Sequence, residues 1–280
     1  MSLRPEDARP ASPDQPGHRP IGSLCCILFD LDGVVYRGST RLPGARETFD
    51  YLNARGIPYC LITNNATLTA RQYVEKLAAM GVEVPESAVL TSGTATARYL
   101  ARLAPGGAPV YVIGEVGLVE PLLEAGFWLD DRAPRFVCVG LDRGLTYEKL
   151  KRASLAIRAG AAFVAANPDT TLPTEEGLVP GCGAILAALE TATDVSPRVI
   201  GKPSAEIVDL AVEMLGADKA TTAIIGDRLD TDILAGRRAG IGTILVLTGV
   251  HQVADIPSFE ARPEWIVRDL PEFLRRLEGR

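Results

Sequence analysis

Short runs of apolar, β-favouring residues alternate along this chain with stretches whose apolar positions recur every three or four residues. The runs Cys25–Phe29, Tyr59–Thr63 and Val89–Thr91 are interleaved with helical-period segments at Gly44–Arg55, Ala70–Met80 and Ala95–Leu103. After residue 200 the theme returns, with strands at Thr222–Ile225 and Thr243–Leu247, helices at Ala205–Leu215 and Leu229–Ala239, and a closing pair at Glu264–Val267 and Glu272–Leu277. Along Ala205–Leu215, Ile207, Leu210, Ala211, Met214 and Leu215 fall on one helical face, which marks a core-packing helix. Such alternation predicts a parallel sheet covered by helices.

Between the two portions, Ala104-Pro105-Gly106-Gly107-Ala108-Pro109 reads as a linker and Ser196-Pro197 as its return. The enclosed stretch has its own rhythm, with strands at Val110–Ile113, Val137–Leu141 and Ala162–Ala165 and helices near Gly117–Ala125, Tyr147–Ala159 and Ala184–Thr191. The expected fold is therefore α/β: a Rossmann-like core built from 21–104 and 197–280, with a smaller α/β domain, 105–196, inserted into it. Residues 1–20 hold five prolines and no apolar stretch, and are expected to form a disordered tail.

Composition narrows the function. With 29 Lys+Arg against 35 Asp+Glu the net charge is −6, so there is no basic surplus to neutralise a nucleic-acid backbone. The longest apolar runs, such as Leu24–Phe29, fall far short of the roughly 18 residues of a membrane span. Five cysteines without a C-x-x-C pair fit a reducing cytoplasm better than a disulfide framework. Only two histidines occur, His18 in the tail and His251 after a late strand, so chemistry built on a Ser-His-acid triad lacks parts, and His251 is read as a loop residue. Gly201-Lys202 is followed by Pro203 where a phosphate-cradling P-loop needs Ser or Thr, and no G-x-G-x-x-G follows a strand.

Four elements remain, each where a strand ends, the edge at which open parallel sheets form their binding crevice. Strand one runs into Asp30-Leu31-Asp32-Gly33; taken alone, this pair of carboxylates is equally a solvated acidic turn. Strand two ends in Thr63-Asn64-Asn65, a hydroxyl and two amides able to donate to a phosphoryl oxygen or to cap a helix. Gly201-Lys202-Pro203-Ser204 places one cation at the start of a helix, and Gly226-Asp227-Arg228-Leu229-Asp230-Thr231-Asp232 places three carboxylates within six residues. Together they make the inventory of phosphoryl transfer through an aspartyl intermediate: an acid nucleophile, acids for a metal, phosphate donors and a shielding lysine.

DLDGVVYRG, TNN, GKPS and GDRLDTDI resemble the four motifs of the haloacid dehalogenase superfamily, within its NagD-like group of p-nitrophenyl phosphate and phosphoglycolate phosphatases, over about Ile21–Arg280. The insertion is similar to that group's type IIA cap, and Ala166-Asn167-Pro168-Asp169 through Gly183 looks like its substrate-facing loop. The resemblance implies an Mg²⁺-dependent phosphatase of small phosphorylated metabolites, with Asp30 as nucleophile and Asp32 as general acid and later base. It implies Thr63, Asn64, Asn65 and Lys202 on the phosphoryl group and Asn167 and Asp169 towards the rest of the substrate. Asp30, the backbone carbonyl of Asp32 and Asp227 would hold the metal, with Asp232 behind them; pairing of two copies through the inserted domain is a further expectation. A phospho-acceptor signalling protein would lack Asp32 and the insertion, and a non-catalytic phosphoryl-binding protein would not need carboxylates at 30, 32 and 227.

Overall fold

The structure, a computed structural model, describes residues 19–174 and 176–280. His18 and positions 1–18 of the expected tail, together with Glu175, lie outside the described residues. At the end of that tail, Arg19 is pinned: its carbonyl accepts from Trp265 Nε1 at 3.1 Å and its guanidinium lies over the Trp265 ring.

The first portion contains β1 (Cys26–Phe29), a short ribbon of β2 (Tyr36–Arg37) and β3 (Thr40–Arg41), α1 (Ala45–Arg55), β4 (Tyr59–Thr63), α2 (Ala70–Ala79), β5 (Val89–Thr91) and α3 (Ser92–Leu103). The insertion follows as β6 (Pro109–Ile113), α4 (Val116–Glu124), β7 (Trp128–Leu129), β8 (Phe136–Val139), α5 (Tyr147–Arg158), β9 (Ala162–Ala165), β10 (Thr171–Thr174), β11 (Gly177–Pro180) and α6 (Cys182–Thr193). The chain returns through β12 (Arg198–Val199), α7 (Ala205–Leu215), β13 (Thr222–Gly226), α8 (Leu234–Ala239), β14 (Gly242–Val246), β15 (Trp265–Val267) and α9 (Leu270–Leu277).

Six parallel strands in the order β15-β14-β13-β1-β4-β5 form the core sheet, and five in the order β12-β9-β8-β6-β7 form a second sheet, four from the inserted domain and β12, at its edge, from the return segment. β1 is central and buried on both faces. Its alternate residues divide between two clusters, Cys26 and Leu28 on one side, Ile27 and Phe29 on the other, as expected for a parallel strand covered by helices on both sides. Phe29 meets Phe49 of α1 at 5.1 Å and Phe273 of α9 at 5.9 Å between ring centres.

The inserted sheet shares one of these clusters: Val110, Cys138 and Val164 pack with Leu90, Ala95, Leu118 and Ile207, while Val137, Val139 and Phe163 face Ile157 and Leu189 on the other side. The inserted domain is thus seated on the core by a continuous apolar interior. Three differences from the sequence reading stand out. The segment read as a loop, 167–183, contains the antiparallel hairpin β10–β11. The segment read as one helix over Leu229–Ala239 opens as a π-turn, Leu229–Ile233, before α8. The edge strand β7 and the β2–β3 ribbon, two residues per strand, are too short to leave a period.

Candidate active site

Asp30 continues the β1–β13 ladder by donating its N–H to the Ile225 carbonyl at 2.9 Å, which fixes it at the carboxyl edge of the sheet. β13 ends one register away, and Asp227 follows with 2% exposure. Asp227 is held tightly: Oδ2 accepts from Val250 N at 2.7 Å and the main-chain carbonyl from His251 N at 3.1 Å. Gly249 and Gly33 press against the same carboxylate, where a Cβ would come within 1.9 and 2.4 Å of Oδ2 respectively, so both positions require glycine.

Lys202, 2% exposed, enters from the return segment and uses all three of its donors: Asp30 Oδ1 at 2.5 Å, Asp232 Oδ1 at 2.6 Å and the Ile62 carbonyl at 3.4 Å. Asp232 reaches it from the π-turn, and its other oxygen accepts from Arg228 N at 3.1 Å. Carboxylate oxygens of Asp30, Asp227 and Asp232 all lie within 4.8 Å of one another. Three acids therefore surround one ammonium.

Burial dominates the electrostatics. It pushes the Asp30 carboxyl well above the ordinary range, aided by Asp232 and Asp227 and opposed by Lys202. Burial and the nearby Asp232 push Asp227 up to about 7. Lys202 moves the other way from what burial alone would give, because Asp232 and Asp30 raise its pKa above that of a free lysine. The charge left over and the unpartnered buried Oδ1 of Asp227 fit a hard divalent cation coordinated by oxygen. The Asp32 carboxylate stands outside the triple of acids. Asp32 is exposed, yet its surroundings strip enough water to raise its pKa, against the pull of Lys76 and Arg37.

The amides of the second and inserted loops take partners the sequence did not suggest. Asn64 Nδ2 donates to both Asp169 oxygens, at 3.1 and 3.2 Å, and to the Lys202 carbonyl at 2.8 Å, so its amide links the second loop to the inserted and return segments. Asn167, expected to touch substrate, is 4% exposed; its Nδ2 donates to the Asn64 carbonyl at 2.7 Å and its Oδ1 accepts from Asp169 N at 3.1 Å. Together these bonds tie the inserted loop to the core. Asn65 Oδ1 closes a turn by accepting from Thr67 N at 2.9 Å, and Thr63 Oγ1 accepts from Asn65 N at 3.2 Å.

A crevice of about 180 Å³ brings together Asp30, Asp32, Thr63, Asn64, Asn65, Lys202, Asp227 and Asp232 with Asp169 and Leu172 of the inserted domain. Two charged residues of its wall, Lys76 and Arg228, escaped sequence reasoning. Lys76 of α2 stands with Nζ 3.8 Å from the Tyr36 ring centre, and Arg228 grips Asp230 through two bonds of 3.1 and 2.8 Å. Lys76 reads in sequence as the polar side of a core helix, and Arg228 as a charge among acids. A larger groove of about 550 Å³ between α2, α3, α4 and α7 contains none of the motif residues. Among the described residues no helix is long and apolar enough to cross a membrane.

Comparison with known proteins agrees with this arrangement. Residues 27–128 match the haloacid dehalogenase-like hydrolase profile, and residues 199–273 match the HAD-hydrolase-like profile. An acid sugar phosphatase of Staphylococcus aureus is 44% identical over 252 residues, 90% of this chain and 97% of the relative. The crystal structure of a 4-nitrophenylphosphatase from Thermotoga maritima superposes with a TM-score of 0.88 at 37% identity, over 93% of this chain and 100% of that one. NagD from Escherichia coli K-12 gives 0.84 at 38% identity, over 89% and 98%. With its motifs gathered at one sheet edge and relatives matched over nearly their whole length, the chain belongs to the haloacid dehalogenase-like hydrolase family.

Proposed function

We propose that the protein is a magnesium-dependent phosphatase of small phosphomonoesters, working through a phosphorylated Asp30. The observation that carries this reading is Lys202, bonded at once to Asp30 and Asp232 beside the buried Asp227. Relatives named for acid sugar phosphatase and 4-nitrophenylphosphatase activity support it. The catalytic core in this reading is 21–104 with 197–280, and 105–196 forms the cap. Five free cysteines among the described residues suit a cytoplasmic enzyme.

In the first step Asp30 Oδ attacks phosphorus, the P–O bond to the alcohol breaks, and the leaving oxygen takes the proton of Asp32. In the second step Asp32 takes a proton from water, the hydroxyl oxygen bonds to phosphorus, and the bond to Asp30 breaks to free inorganic phosphate. Lys202 shields the charge between nucleophile and phosphoryl oxygens, with Thr63 facing the same space. Asp30, Asp227 and the Asp32 carbonyl would hold Mg²⁺, which offsets the negative charge of the ester. Asp232, both of whose oxygens are already engaged, holds Lys202 in line.

The test is phosphate release from 4-nitrophenyl phosphate and a panel of sugar and other small phosphates. We expect turnover by wild type with Mg²⁺, and loss to background in Asp30→Asn with the fold intact by circular dichroism. Turnover by Asp30→Asn at the wild-type rate would falsify the nucleophile assignment; binding without turnover by wild type would make the chain a phosphoryl-binding protein.

A further inference from the structure

We infer that His251 is a positioning residue whose imidazole fixes the acidic pole of the site. This inference rests on the reading of Asp30 and Asp227 as holders of a divalent cation. The N–H groups that open a helical turn have no partners within it. In the π-turn Leu229–Ile233 the Arg228 N–H goes to Asp232 Oδ2 at 3.1 Å, and the Leu229 N–H goes to His251 Nδ1 at 3.0 Å. Because a backbone N–H only donates, Nδ1 carries the lone pair and the ring proton resides on Nε2.

The same short segment reaches Asp227 twice. His251 N donates to the Asp227 carbonyl at 3.1 Å and Val250 N donates to Asp227 Oδ2 at 2.7 Å. Two residues of the loop after β14 therefore connect Asp227 to the turn that presents Asp232, and Asp232 in turn holds Lys202. The imidazole is braced from outside by Phe259, ring centres 4.6 Å apart and planes inclined at 63°. Its orientation is thus set independently of anything bound in the crevice. Partners that orient metal-holding groups typically change metal affinity by about 10- to 100-fold when lost.

The test measures Mn²⁺ binding to the metal-free full chain, by the electron paramagnetic resonance signal of free Mn²⁺, in wild type, His251→Phe and His251→Asn. Phe keeps an aromatic ring against Phe259 and removes the acceptor; Asn retains an acceptor near the Nδ1 position. We expect Kd to rise about 10-fold or more in His251→Phe and to stay within about threefold of wild type in His251→Asn, with kcat in saturating metal less affected than metal affinity. His251→Ala repeats the comparison if the Phe variant is insoluble. Wild-type affinity in the Phe and Ala variants, or an Asn variant as impaired as Phe, overturns the inference alone. Wild type that binds no Mn²⁺ overturns the metal reading and this inference with it.

Discussion

Lys202 Nζ lies 2.5 Å from Asp30 Oδ1, although 172 positions separate the two residues in the chain. The ammonium reaches Asp30 only because the return segment after the insertion runs beneath the second loop, where the Lys202 carbonyl takes a bond from Asn64. One cation then serves three acids, and the surplus negative charge must be balanced by protons or by a metal. The pH dependence follows from that imbalance.

Burial lifts the Asp30 carboxyl well above its ordinary range and, with Asp232, lifts Asp227 to about 7. The folded, metal-free protein therefore retains protons that the unfolded chain releases above about pH 4. The stability these groups contribute is full below that pH and falls as pH rises through 7. A divalent cation replaces the protons, so Mg²⁺ should raise Tm more at pH 7.5 than at pH 5. Equal Mg²⁺-induced shifts at the two values would contradict the assignment.

Asp32 holds its proton more readily than a free carboxyl, burial outweighing Lys76 and Arg37. Asp32→Asn should lower the first turnover of alkyl phosphates by about 10²–10⁴-fold, and that of 4-nitrophenyl phosphate far less, because its phenolate leaves unaided. Rapid-quench measurement of alcohol and phenol release separates the two. Equal losses would assign Asp32 to site geometry instead of proton transfer.

Asp169 both accepts from Asn64 and lines the crevice. Asp169→Ala should reorder kcat/KM among phosphate esters, with KM moving at least as much as kcat, and leave Mn²⁺ affinity unchanged. A uniform fall across all substrates would make the loop structural.

A methyl group at residue 249 would come within 1.9 Å of Asp227 Oδ2, whereas one at Gly106 meets nothing within 4 Å. Gly249→Ala should cost about 1–3 kcal/mol of stability through overpacking and weaken metal binding by more than about tenfold, the order seen when supporting contacts of a metal site are lost. Gly106→Ala should stay within about 0.5 kcal/mol of wild type. Chemical denaturation and Mn²⁺ titration of both variants check the pair.

What the sequence revealed was local. Asp30, Asp227 and Lys202 each follow directly from an apolar run, and the sheet edge that gathers them is implied by the alternation of strands and helices. What it concealed depends on distant segments meeting. Lys76 belongs to a helix whose period announces only a core face, and nothing in TGVHQ signals that Gly249, Val250 and His251 brace Asp227. Asn64 shows what else the sequence hid: an amide at a strand end offers the right chemistry for phosphate and lines the crevice, but its bonds to Asp169 and the Lys202 carbonyl cross from segments 105 and 138 positions away. The π-turn was hidden because its leucine and isoleucine keep an α-like spacing.

The position of β1 between β4 and β13 has a consequence for synthesis. Cys26 pairs with Thr222, so one edge of the central strand stays open while roughly two hundred further residues are made. At about 5–20 residues per second that interval lasts about 10–40 s, long enough for the inserted segment, whose strands are neighbours in sequence, to collapse first. The nascent half-sheet β1-β4-β5 then carries an exposed apolar edge and an aspartate without its lysine. Newly made chains are therefore most vulnerable to edge-to-edge aggregation before Gly226 leaves the ribosome, and truncations that end inside the insertion should be the most insoluble fragments of the protein.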